Sequence, residues 1–264
     1  MQLKTRMHQH LEAGQTAGGF GFALNSPAAV EFLLQNAKPD FIVIDAQHAP
    51  ITPADAAHLL RAAQSTDPLA TPIVRVPCHD VYWIQQMLDL GYMGLVVPLC
   101  ESAEQARALA QATYYPPQGL RSIAGSIRAN MYDQYIEQVN EHVLLLPQIE
   151  SRDGLENVED IVAVEGVSGV LLGPADLSFD CGWRDHASQL WSYPPFVEAV
   201  SRIRTACDSH GKLLATMVAG EAVFHAQQAG TRFICTSVDT GALRTSIATE
   251  TNAIMQRLHG GAGD

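Results

Sequence analysis

Lysine is scarce in this chain: only Lys4, Lys38 and Lys212 occur in 264 residues. The last two lie just before apolar runs and Lys4 is near the N-terminus, so no amine is placed to form a Schiff base with a carbonyl compound. Cysteine is scarce too. Cys78, Cys100, Cys181, Cys207 and Cys235 are odd in number, scattered and free of any Cys-X-X-Cys spacing, which argues against a disulfide framework and a zinc cage and favours a reducing cytoplasm. No apolar run approaches the roughly 20 residues of a membrane span, and the start MQLKTRMHQHLEAGQ lacks the apolar stretch of a signal peptide. A soluble, unprocessed protein with no membrane partner is therefore expected. Positive charge is in deficit, with 16 Lys and Arg against 28 Asp and Glu and a net charge of -12. Such a balance repels phosphate backbones, so no nucleic-acid partner is expected.

What the chain does have is apolar material, 47% hydrophobic against 17% charged residues, enough for one large α/β domain spanning 1–264. Apolar runs recur near 19–24, 41–46, 72–77, 94–99, 143–150, 169–174, 213–218 and 233–238. Between most of them lie amphipathic stretches such as PADAAHLLRAAQ, SAEQARALAQAT and FVEAVSRIRTACDSHG, whose apolar residues return at helical spacing behind Ser, Thr or Pro start signals. Strand and helix alternating eight times predicts a (β/α)8 TIM barrel, with an open doubly wound sheet as the other arrangement. About 43 residues separate the fourth and fifth strands, more than a connecting helix needs, and this insertion carries a second helical segment near 130–140. After Leu243 one extra helix is expected, with a disordered Gly-rich end at about 259–264.

In such a barrel, polar residues at the C-terminal ends of strands share one cavity. LLLPQIE ends on Glu150 and GVLLGPADLS carries Asp176, about 26 residues on, a gap that fits one strand-helix-strand unit. Two carboxylates on neighbouring strands, without HxH or HExxH spacing nearby, suit a hard cation such as Mg²⁺ or Mn²⁺ that keeps open positions for substrate. Asp45, His48, Arg75, Gln148 and Asp239 fall at other strand ends. His48 can take and return a proton near neutral pH. Arg75 interrupts the apolar strand PIVRVP, and a guanidinium there needs an anion or developing oxyanion; an ion pair with Asp45 or Asp89 is the rival role. Gly173, Pro174 and Ala175 lead into a helix start whose amides can hold a carboxylate. The aromatic stretch Trp183–Trp191 with Tyr193 suits a substrate wall or a subunit contact equally.

The segments DFIVIDAQHAP, PIVRVP, LLLPQIESRDGLENVEDI, VEGVSGVLLGPADLS and FICTSVDTGALR, in this order, resemble the HpcH/HpaI family of metal-dependent 2-oxo acid aldolases from about Gly18 to Arg244. The resemblance implies a hexamer built as a trimer of dimers that swap the last helix. It implies metal ligation by Glu150 and Asp176, with Mg²⁺, Mn²⁺ or Co²⁺ as the ion. It implies contact with a keto-acid donor by Gln148, with the amides of Ala175 and Asp176 on the donor carboxylate, and enolate stabilisation by Arg75. His48 matches the family's catalytic histidine, Asp89 the aspartate that supports it from a neighbouring subunit, and Asp45 the aspartate just before it. Gln47 stands where many members have glutamate, and Phe22 where some carry tryptophan near the acceptor. The implied reaction is reversible cleavage of a 4-hydroxy-2-oxo acid to pyruvate or hydroxypyruvate and an aldehyde. Oxaloacetate decarboxylation, cleavage of malyl- or citryl-CoA, and an inactive barrel serving as a binding module are the alternatives; sparse Lys and Arg disfavour a CoA substrate.

Overall fold

A computed structural model describes residues 3–123, 129–132 and 134–259. Eight strands close into a barrel in sequence order: β1 (Ala17–Phe22), β2 (Phe41–Asp45), β3 (Thr71–Arg75), β4 (Gly94–Val97), β5 (Leu144–Ile149), β6 (Gly169–Leu172), β7 (Leu213–Met217) and β8 (Phe233–Val238). All neighbours pair in parallel, and β8 returns to β1. The helices are α1 (Arg6–Glu12), α2 (Pro27–Asn36), α3 (Pro53–Thr66), α4 (Val81–Leu90), α5 (Ala103–Thr113), α6 (Tyr135–His142), α7 (Arg152–Glu156), α8 (Val158–Ala163), α9 (Pro174–Asp180), α10 (Pro194–Ser209), α11 (Ala222–Gln228) and α12 (Asp239–His259). The (β/α)8 barrel expected from the alternation is therefore the observed one.

Helix starts follow the sequence signals. Ser26, Ser102 and Ser151 accept an amide hydrogen bond at the starts of α2, α5 and α7, and Thr52 forms a reciprocal box with Asp55 at α3. Each cap points a helix back down the outside of the sheet. Two apolar layers result. Side chains such as Ile42, Ile44, Leu59, Leu60, Leu88 and Val97 pack between sheet and helices, while Phe41, Val43, Ile73, Val96, Leu146, Leu171, Ala215 and Phe233 fill the barrel itself. At its lower end the Phe41 and Phe233 rings stack at 3.7 Å, and Met7 of α1 is fully buried among the same group. Gly19 makes room for this plug, since a Cβ there would lie 2.5 Å from the Phe41 ring and 2.3 Å from its carbonyl oxygen.

Strand limits differ from the apolar runs in instructive ways. β1 begins at Ala17, which pairs with Phe233, and stops at Phe22, because the amides of Ala23 and Leu24 bond the Asp239 carboxylate at 2.9 and 3.1 Å. β6 stops at Leu172 because Gly173 already precedes α9. The described parts of the insertion between β4 and β5 pack at the lower end, opposite the strand C-termini: Leu120 bonds back to Gln111 in α5, and the Tyr135 hydroxyl donates to Leu88 near the end of α4. Arg121 is buried there against the Tyr115 ring, 4.3 Å away, and bonded to Asp89 at 2.7 Å. α12 has one buried residue, Asp239, and exposes Leu243, Ile247, Ile254, Met255 and Leu258. The end expected to be disordered lies outside the described residues beyond His259. Among the described residues no helix is long and apolar enough to cross a membrane.

Removing the lower plug tests this packing. Phe41→Ala should lower the unfolding free energy by about 3–5 kcal/mol, read as a lower urea midpoint with unchanged far-UV circular dichroism before the transition.

Candidate active site

Parallel register puts Asp45, the last residue of β2, level with Arg75, the last of β3. The carboxylate is 4% exposed and accepts from Arg75 Nε at 2.9 Å and Nη2 at 2.6 Å, and from the amides of Gln47 and His48 at 3.1 and 3.3 Å. Burial pushes this carboxyl up, but the paired Arg75 and the two amides outweigh it and hold it below the usual carboxylate range. Arg75 thus makes the ion pair named as its rival role, with Asp45 and not with Asp89. The pair engages Nε and Nη2, so the guanidinium is held in one plane with Nη1 outside it. His48 is exposed in the loop that follows, and its amide anchors that loop to Asp45.

Two strands on, β5 delivers Gln148 and Glu150, each 3% exposed. Glu150 Oε1 accepts from the Leu99 amide at 2.8 Å, and its Oε2 accepts from Gln148 Nε2. Burial and the nearby Asp176 carboxylate raise the Glu150 carboxyl to about 7, against the pull of the Leu99 amide, Arg75 and Gln148. Asp176 is exposed in the first turn of α9, one strand over. Gly173 permits this crowding: a Cβ there would meet Glu150 Cβ at 2.8 Å, Gln148 Nε2 at 2.9 Å and Glu150 Oε2 at 2.9 Å. Pro174 is half-buried and Ala175 exposed beside it.

The donor set fits a hard divalent cation. Two neighbouring carboxylates repel one another, one is raised in pKa by that repulsion and by burial, and the buried Gln148 Oε1 has no hydrogen-bond partner. Among the described residues no group of three or more His, Cys, Asp and Glu side chains is arranged around a metal position, so a cation here would keep positions open to small ligands.

Three other expected residues are placed elsewhere. Phe22 is fully buried between sheet and helices, with Phe20 at 5.2 Å, so it does not face the mouth; the alternation of β1 turns Gly21 inward instead, toward Met217, Cys235 and Val238. Asp239 is 4% exposed and spends both oxygens on the amides of Ala23, Leu24 and Thr240, which makes it a fastener of the β1–α2 loop. Asp89 sits at the lower end of α4 with Arg121, away from His48 of its own chain. The Trp183–Tyr193 stretch packs on itself and on α10: Trp191 meets Phe196 at 5.2 Å, and His186 stacks on Tyr193 at 3.9 Å. Leu99, whose amide holds Glu150, carries no signal in the sequence. Every residue but proline offers the same amide, so the contact leaves no pattern there.

A barrel that gathers two carboxylates and an oriented arginine at the C-terminal ends of its strands has the layout of a barrel enzyme's active site. Residues 22–245 match the model of the HpcH/HpaI aldolase/citrate lyase family, and the chain belongs to that family. It is 35% identical over 263 residues to a hydroxypyruvate/pyruvate aldolase of Pseudomonas aeruginosa, covering 97% of this chain and 94% of that one. It is also 35% identical over 240 residues to a 5-keto-4-deoxy-D-glucarate aldolase of Klebsiella pneumoniae, covering 89% and 91%. A solved HpcH/HpaI aldolase/citrate lyase family structure from Burkholderia cenocepacia superposes with a TM-score of 0.83 at 29% identity, covering 91% of this chain and 95% of that one. The protein is therefore a lyase of the aldolase type, and such family members generally depend on a divalent metal.

Glu150 gives a pH test in metal-free protein. A carboxyl raised from 4.5 to about 7 in the folded state favours folding below its unfolded value, and that contribution is lost as pH rises through the folded one. Glu150→Gln should match wild type near pH 4 and exceed it by about 2–3 kcal/mol above pH 7.5, read by urea unfolding across this range.

Proposed function

We propose that this protein reversibly cleaves a 4-hydroxy-2-oxo acid into pyruvate or hydroxypyruvate and an aldehyde. The observation that carries this reading is the Glu150 and Asp176 carboxylate pair sharing the barrel mouth with an Arg75 immobilised by Asp45. Glu150 and Asp176 would hold a divalent cation, Mg²⁺, Mn²⁺ or Co²⁺, and that ion would supply Lewis acidity toward a 2-oxo acid.

The chain's own groups do the rest. Arg75 stabilises negative charge gathering on the 2-oxo oxygen, and Asp45 keeps the guanidinium from turning away. Gln148 faces the donor with its unpartnered Oε1, while Gly173 leaves the space that a side chain would take from it. The amides of Ala175 and Asp176, at the start of α9, receive the donor carboxylate, and Pro174 sets that turn. In the cleavage direction His48 takes the proton of the 4-hydroxyl; the C3–C4 bond breaks, its electrons pass to the 2-oxo oxygen and the aldehyde leaves; the enolate then re-forms the ketone as C3 takes a proton, which the protonated His48 returns directly or through water. Asp89 reaches His48 only from a second copy, since it lies at the far end of its own barrel. That placement and the exposed Leu243, Ile247, Ile254 and Leu258 of α12 support an assembly of copies, a hexamer of helix-swapped dimers. Five unpaired cysteines support a cytoplasmic setting.

The deciding experiment follows 4-hydroxy-2-oxo acid cleavage and the exchange of pyruvate methyl protons into D₂O, before and after chelation and with Mg²⁺, Mn²⁺ or Co²⁺ restored. Both activities should vanish on chelation and return with metal; equal rates in stripped protein would overturn the reading. CO₂ release from oxaloacetate without aldehyde release from any 4-hydroxy-2-oxo acid would assign a decarboxylase instead. Arg75→Lys should lower kcat by about 100-fold, a loss of about 2.7 kcal/mol, because an ammonium cannot hold the two-point contact with Asp45 and the oxyanion together. Turnover within a few-fold of wild type would remove the oxyanion role from Arg75.

A further inference from the structure

Leu99 has φ 52°, in the left-handed region, although it carries a Cβ and has glycine's freedom in no respect. Its side chain is 51% exposed at the barrel mouth, so burial does little to offset that strain. The offset is in the backbone. The Leu99 amide donates to Glu150 Oε1 at 2.8 Å, and the residues on both sides are pinned: His79 Nε2 meets the Pro98 carbonyl at 2.6 Å, and the Cys100 amide bonds the Gln148 carbonyl at 3.2 Å. Farther along, the Glu101 amide bonds Gln105 and the Glu101 carbonyl accepts from Asn157 at 2.9 Å. Gly154 completes the fit, because a Cβ there would stand 2.9 Å from the Cys100 carbonyl oxygen. A strained residue held this firmly from its neighbours is a device for aiming one peptide group.

We propose that Leu99 is a positioning residue: its left-handed backbone turns the Pro98–Leu99 peptide so that the N–H holds the Glu150 carboxylate in the orientation a divalent cation requires. With Gln148 Nε2 on the other oxygen, Glu150 is gripped at both atoms before any ion arrives. Preorganisation of this kind raises affinity by removing the rotamer freedom that binding would otherwise freeze. The role belongs to the backbone of residue 99 and not to its isobutyl group. Gly and Asn, which enter the left-handed region readily, should therefore preserve it, and the β-branched Val, which resists that region, should not.

The inference rests on the cation reading of Glu150 and Asp176, and calorimetric titration of MnCl₂ into chelator-stripped, full-length protein separates the two. Leu99→Val should weaken Mn²⁺ binding by about tenfold or more, while Leu99→Gly and Leu99→Asn stay within about threefold of wild type. Gly154→Ala, which presses on the Cys100 carbonyl without touching residue 99 or Glu150, should weaken Mn²⁺ binding by about fivefold and covers the case of a Val variant that does not fold. Wild-type affinity in both Leu99→Val and Gly154→Ala would overturn the proposal, as would an equal loss in Leu99→Gly and Leu99→Val. A wild-type protein that binds no Mn²⁺ would instead bring down the cation reading, and this proposal with it.

Discussion

A carboxylate buried at the top of a barrel is the constraint on which this site turns. Glu150 is almost wholly shielded from water beside a second acid, Asp176, and an isolated charge in such a place is unfavourable by several kcal/mol. The surroundings partly compensate with the Leu99 amide and the Gln148 side-chain amide, and leave the rest uncompensated. That remainder is the electrostatic basis of the proposed cation site. Gly173 belongs to the same arrangement, since any side chain there would displace the glutamate.

Arg75 and Asp45 solve the opposite problem. Each would be costly alone at a strand end facing the barrel, and as a two-point pair in register they form a neutral, rigid unit. The pairing fixes the plane of the guanidinium and leaves Nη1 outside the two-point contact. Asp239 does a related job lower in consequence, tying the first loop to the last helix so that the mouth keeps its shape.

Much of this was legible in the residues. Apolar runs alternating with capped amphipathic stretches specify strands and helices locally, because caps and hydrophobic period act over a few residues. Glu150, Asp176 and Arg75 stood out as charges directly after or inside such runs. Phe22, Asp239 and Asp89 read less well. Whether Phe22 faces inward depends on where β1 starts its alternation, which Ala17 pairing with Phe233 decides across the sheet. Asp239 resembles a site acid until its oxygens are seen to be occupied by two amides from more than 200 residues earlier in the chain. The partner of Asp89 likewise lies in the long insertion, and Leu99 acts through an amide, which every residue but proline possesses.

The sequence by itself determined the elements, their order, and the kind of chemistry available, because propensity, capping and the supply of titratable groups are properties of short segments. Only the tertiary structure decided which groups meet: that Arg75 lies level with Asp45, that Leu99 reaches Glu150, and that Tyr135 of the insertion packs on the end of α4 away from the site. The physical reason is closure of the barrel, which sets strand register and brings residues far apart in the chain to within hydrogen-bond distance.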